Sequence, residues 1–122
     1  MISNKNKKDI TIAILNYNRS KFLDRAVRSC LEQTLTARTS EIIVIDDCST
    51  DRSWEYLTHH KKSFNLINIY KNKKNMGAGF SSNFAVRKAL GKYFIRVDSD
   101  DYLNKFAVDI MTNILDNNPE YG

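Results

Sequence analysis

Ile95-Arg96-Val97-Asp98-Ser99-Asp100-Asp101 is an apolar run that ends in three carboxylates within four positions. Read as a strand end, it turns Asp98 and Asp100 to the same side, because side chains two apart in a strand share a face. Their Cα atoms then sit about 7 Å apart. Two carboxylates at that separation repel by roughly 2 kcal/mol at an effective dielectric of about 20. A divalent cation held between them converts that cost into attraction, and hard oxygen ligands favour magnesium, manganese or calcium over zinc. The competing reading is a solvated helix start with Asp100 or Asp101 as its cap.

Working outward, a second acidic strand end tips the balance. Glu41-Ile42-Ile43-Val44-Ile45 runs into Asp46-Asp47-Cys48-Ser49-Thr50-Asp51, and the first apolar run, residues 10–15, stops at Asn16-Tyr17-Asn18-Arg19-Ser20. Between these runs the spacing changes to that of a helix: Phe22, Leu23, Ala26, Val27, Cys30 and Leu31 recur on one side, with Ser20 as the expected N-cap. A second helix, capped by Ser49 or Thr50, turns Trp54 and Leu57 inward. Residues 66–70 read as a third strand and residues 80–90 as a third helix, closed by Gly91 in a left-handed C-cap. A fourth strand at 93–97 precedes a helix at 105–117, which carries Phe106, Ile110, Met111 and Ile114 on one face and stops before Pro119. Strands alternating with helices predict βαβ units and a mainly parallel sheet of the α/β class. In such sheets the ligand lies beyond the carboxyl ends of the strands, where all three polar loops fall.

Length and composition set the bounds. The 122 residues suit one domain, and 42% hydrophobic with 27% charged residues is the balance of an ordinary globular protein. No stretch approaches the apolar length of a membrane span, and residues 1–9, read as an N-terminal tail, lack the apolar region of a signal peptide. The expected address is the cytoplasm. Cys30 and Cys48 show no metal-ligand or redox spacing and read as free thiols. The net charge of +5 is spread over lysines along the chain, with no single basic helix, so no nucleic-acid partner is expected and solvated surface is the preferred reading. His59 and His60 are adjacent on a helix, where neighbours do not share a face, and are read as solvated. Gly77 and Gly79 match a phosphate-cradling loop only weakly.

The sequence resembles the inverting glycosyltransferases of family 2, over residues 10–122. The resemblance is carried by Ile12-Ala13-Ile14-Leu15-Asn16-Tyr17-Asn18, Ser29-Cys30-Leu31-Glu32-Gln33-Thr34, Val44-Ile45-Asp46-Asp47-Cys48-Ser49-Thr50-Asp51, Asn75-Met76-Gly77, Ala89-Leu90-Gly91-Lys92-Tyr93 and Asp98-Ser99-Asp100-Asp101, in that order. It implies the nucleotide-sugar-binding part of a GT-A (Rossmann-like) fold, a three-layer αβα arrangement that stops before the acceptor half. Tyr17 would lie against the nucleotide base, with Asn18 beside it, and Asp47, or less favourably Asp46, would accept the base imide hydrogen. Asp98 would sit near the ribose and the metal, and Asp100 would bind a divalent cation, manganese or magnesium, with Asp101 as an alternate ligand.

The resemblance further implies a nucleotide-sugar donor, most readily a uridine diphosphate sugar, and a glycan or lipid-linked acceptor in surface polysaccharide assembly. A peripheral place at the inner face of the membrane belongs to the same expectation. The general base is expected downstream of residue 122, leaving the chain able to bind donor but inactive, with an open sheet edge that would make it dimerise or poorly soluble. The family usually carries an arginine in an Ala-Arg-Asn sequence where this chain has Ser81-Ser82-Asn83, and Lys73 or Lys74 is the expected substitute on the phosphates. Two alternatives differ in class: a non-catalytic nucleotide-sugar-binding module, and a magnesium-dependent phosphoacceptor signalling domain, which would need a fifth strand followed by lysine.

Overall fold

A computed structural model describes residues 7–61 and 67–121. The elements run β1 (Lys8–Asn16), α1 (Ser20–Leu31), β2 (Ser40–Asp46), α2 (Ser53–Lys61), β3 (Ile67–Lys71), α3 (Ala78–Lys88), β4 (Gly91–Asp98) and α4 (Ala107–Asn117). The expected start of the third strand, Leu66, lies outside the described residues, as do residues 1–6 of the tail.

All strand pairs are parallel, in the order β3-β2-β1-β4. That order decides the layers. Successive crossovers from β1 to β2 to β3 step one way, and the crossover to β4 steps back past β1; right-handed connections therefore put α3 on the opposite face from α1 and α2. The packing agrees. Ile10, Ile12, Ile14, Ile42 and Val44 point to one face, where they meet Leu23, Ala26 and Val27 of α1, Leu57 of α2 and Val108 of α4. Ala13, Leu15, Ile43 and Ile45 point to the other and meet Ala85 of α3, with Tyr70, Phe84 and Phe94 packed at the margin. The result is a three-layer αβα architecture, as expected from the sequence.

Several helix ends differ from the sequence reading. Ser20 is the first residue of α1 rather than its cap, and its N–H donates to Asp51 Oδ2. The other oxygen of Asp51 accepts the Ser53 N–H at the start of α2, so one aspartate serves the first turns of both helices, and neither Ser49 nor Thr50 does. Gly91 does not close α3. The helix ends in an extended Ala89, and Gly91 opens β4, where an added Cβ would lie 2.4 Å from Thr11 N. Glycine is required there by the approach of two strands. On α4 the face of Phe106, Ile110, Met111 and Ile114 exists but turns outward, and Val108 and Thr112 are the buried residues.

Candidate active site

The register brings three strand ends level: Asn16 pairs with Asp46, and Leu15 with Asp98. The ladder continues one step past each, through Asp47 N to Asn16 O (2.9 Å), Asn72 N to Asp46 O (2.9 Å) and Ser99 N to Leu15 O (3.0 Å). A cavity of about 270 Å³ opens over these ends. Tyr17, Asp47, Asp98 and Asp100 line it, so the structure gathers residues separated by up to 83 positions into one site. Asn18, Asp46 and Asp101 are not among the lining residues.

Asn18 and Asp46 instead brace the loops around the cavity. Asp46 is fully buried; its Oδ1 accepts from Asn16 Nδ2 (2.9 Å) and Ser49 Oγ (2.6 Å), and its Oδ2 from Ser49 N (3.0 Å). Asn18 takes a positive φ of 51°, which asparagine tolerates, and its Oδ1 accepts the N–H groups of Thr50 (2.7 Å) and Asp51 (3.2 Å). The loops after β1 and β2 are thereby fastened to each other. Burial alone would raise the Asp51 carboxyl, but hydrogen bonds from Ser53 and Ser20 outweigh it and hold the group below the usual carboxylate range.

Asp47 does both jobs. Its Oδ1 accepts from Asn72 Nδ2 (2.8 Å) and Met76 N (2.7 Å), and its Oδ2 from Gly77 N (2.9 Å), which ties the segment after β3 to the end of β2. Gly77 sits at φ +90°, a backbone conformation that places its N–H here and excludes side chains. A carboxylate offers about four acceptor positions; among the described residues three are filled, and Asp47 also lines the cavity. Asn16 also lines the cavity, and its buried Oδ1 has no hydrogen-bond partner among the described residues.

The cations of the site are arginines that the sequence reading passed over. Arg96 Nε and a terminal nitrogen both lie 3.1 Å from Asp98 Oδ1, and Arg19 Nε lies 4.0 Å from Asp100 Oδ2. Arg96 precedes Asp98 by two on a strand, so period-two alternation was the signal that could have found it. Lys73 and Lys74 line a different groove, and α3 offers the cavity Ala78 and Ser81 but no cation.

The donor set suits a hard divalent cation of the magnesium or manganese kind. Among the described residues no three His, Cys, Asp or Glu side chains gather into a metal cluster. Asp98 and Asp100, both about half exposed, supply the one or two carboxylates with which such ions are held when substrate phosphates and water complete the shell.

A four-stranded parallel sheet with acidic loops at its carboxyl end is the architecture of an α/β domain that binds its ligand beyond the ends of the strands. The profile described as "Glycosyl transferase family 2" matches residues 11–122, and the chain belongs to that family. Poly(ribitol-phosphate) beta-glucosyltransferase of Bacillus spizizenii is 36% identical over 100 residues, covering 81% of this chain and 16% of that protein. The crystal structure of Staphylococcus aureus TarS 1-349 in complex with UDP-GlcNAc superposes with a TM-score of 0.78 at 27% identity, over 89% of this chain and 31% of that one. GalNAc-T7 with UDP, GalNAc and Mn2+ gives 0.70 at 26%, over 85% and 20%. The chain thus spans less than a third of each of these relatives.

Proposed function

We propose that this chain is the donor-binding part of an inverting transferase that moves a sugar from a uridine diphosphate sugar to a glycan or lipid-linked acceptor in surface polysaccharide assembly. The reaction is placed in the cytoplasm, at the inner face of the membrane. The observation that carries the reading is the convergence of Tyr17, Asp47, Asp98 and Asp100 on one cavity at the carboxyl ends of the strands. The UDP-GlcNAc complex of TarS supports the choice of donor.

In this reading the Tyr17 ring, 42% exposed, lies against the base, and the unfilled acceptor position of Asp47 takes the base imide hydrogen. Asp98 serves the ribose and the metal, and Asp100 is the principal metal ligand. The ion, when bound, stabilises the charge that grows on the diphosphate as the sugar leaves. Arg19 and Arg96 supply the guanidinium charge that the family places on α3 and that Ser82 cannot. The base that takes the acceptor proton is assigned outside these residues, so the chain binds donor without transferring it. Among the described residues β4 is an edge strand; its pairing with a second copy is tested by sedimentation at high concentration, and a monomer there refutes it.

Calorimetric titration with UDP, with and without manganese, tests the central claim on the wild type and on Asp100→Asn. Binding that requires manganese and falls at least tenfold in the variant is the expected result. A folded wild type that binds no uridine nucleotide at any manganese concentration refutes it.

A further inference from the structure

Residues 61–97 contain nine lysines and arginines and no aspartate or glutamate, so all 14 carboxylates of the chain lie outside this segment. Lysines that look dispersed when counted alone therefore run through one continuous stretch with no acidic residue among them. That stretch ends α2 and forms β3, α3 and most of β4, and among the described residues α3 has one face of the sheet to itself.

At this corner a groove of about 580 Å³ is lined by Met76, Phe80 and Phe84 together with Lys73 and Lys74. Lys88 lies beside two of the aromatic rings that line it: its Nζ is 5.8 Å from the Tyr70 ring centre and 5.6 Å from that of Phe84. None of these three lysines forms an ion pair among the described residues. Between them, Met76 and Phe80 remain 38% and 41% exposed.

We propose that this corner is a docking surface for a membrane face rich in anionic phospholipid headgroups. Positive charge alone would suit any polyanion. The exposed Phe80 and Met76 select the lipid interface, because an aromatic ring and a thioether gain by entering the boundary between headgroups and acyl chains while the surrounding lysines stay with the phosphates. A soluble polyanion without bases or apolar groups, such as polyphosphate, gains nothing from Phe80. The surface also shares a wall with the donor cavity, since the Met76 and Gly77 N–H groups are both held by Asp47. The proposal rests on the membrane placement given above but not on the donor chemistry.

The test is co-sedimentation of the chain, without nucleotide, with vesicles of phosphatidylcholine alone or containing about one-third phosphatidylglycerol. Binding to the anionic vesicles only is expected. Lys73→Gln with Lys74→Gln should weaken it about 25-fold, at about fivefold for each lysine near the surface, and Phe80→Ser should weaken it further. Lys105→Gln, on the other side of the sheet, should leave it unchanged. All four side chains are exposed, and thermal unfolding verifies that the variants fold. Equal binding to neutral and anionic vesicles overturns the proposal. So does binding that Phe80→Ser leaves intact and that inorganic polyphosphate competes away, which would make the corner a reader of soluble polyanions.

Discussion

Arg96 grips a single oxygen of Asp98 with two of its nitrogens, each at 3.1 Å, at the strand end where a cation is expected to bind. The pair is about half exposed and contributes little to stability, on the order of 0–1 kcal/mol. Its effect falls on the site, since it neutralises a carboxylate before any metal arrives. Arg96→Gln should therefore raise manganese affinity in the absence of nucleotide by roughly two- to fivefold. Electron paramagnetic resonance of free manganese measures this, and unchanged or weaker affinity would show that Asp98 does not face the ion.

Asp47→Asn replaces one accepting oxygen with an NH2 group that confronts backbone N–H donors. The side chain is buried, so the lost charge-assisted bonds should cost about 2–3 kcal/mol. Urea unfolding should show the earlier midpoint. Donor binding should fail even where the variant is still folded.

Gly91→Ala should destabilise the chain by about 2–3 kcal/mol, because its methyl would meet backbone atoms of Thr11 and Ile10 at 2.4 and 2.6 Å. Gly79→Ala, in α3 with open space around it, should instead stabilise by about 0.5 kcal/mol. Thermal melts of the two variants should move in opposite directions.

Asp51 links stability to pH. Its folded pKa lies below that of the unfolded chain, so the stabilisation is complete above the unfolded carboxylate range and is lost as pH falls through the folded value. Asp51→Asn should flatten the acid limb of a stability-against-pH curve. A parallel curve, merely displaced, would contradict the assignment.

The two thiols should behave differently. Burial pushes Cys30 up to about 12, against a smaller opposing hydrogen bond from Ser29, so it should resist a disulfide reagent at pH 8 while the chain is folded. Cys48, partly exposed on the loop after β2, should react. Modification of both at equal rates would show that the packing around Cys30 opens readily.

The strands and the class of the fold were legible because long runs such as Ile42 to Ile45 are buried on both faces of a parallel sheet, and such runs announce themselves by composition. The cavity was legible at Tyr17, Asp47, Asp98 and Asp100 because the carboxyl ends of parallel strands must meet. What escaped was set by tertiary contact. Ser20 looked like a cap until Asp51, 31 positions on, supplied the oxygen. Gly91 looked like a helix terminator, whereas its requirement comes from Thr11 on a strand 80 positions away. The outward turn of the apolar face of α4 was equally hidden, because amphipathic spacing states that a stripe exists and not which side meets the sheet.

Among the described residues the sheet is unevenly clad: α1, α2 and α4 share one face, while α3 alone covers the other and, like α2 and α4, buries only two of its side chains, Ser81 and Ala85. Elements with so few buried side chains detach at the lowest free-energy cost in native-state opening. Backbone amides of α3 should accordingly exchange with solvent well before those of β1. Because Ala78 and Ser81 of that helix form one side of the cavity, the same excursion would unroof the pocket, and a bound nucleotide would register first as protection of this single helix.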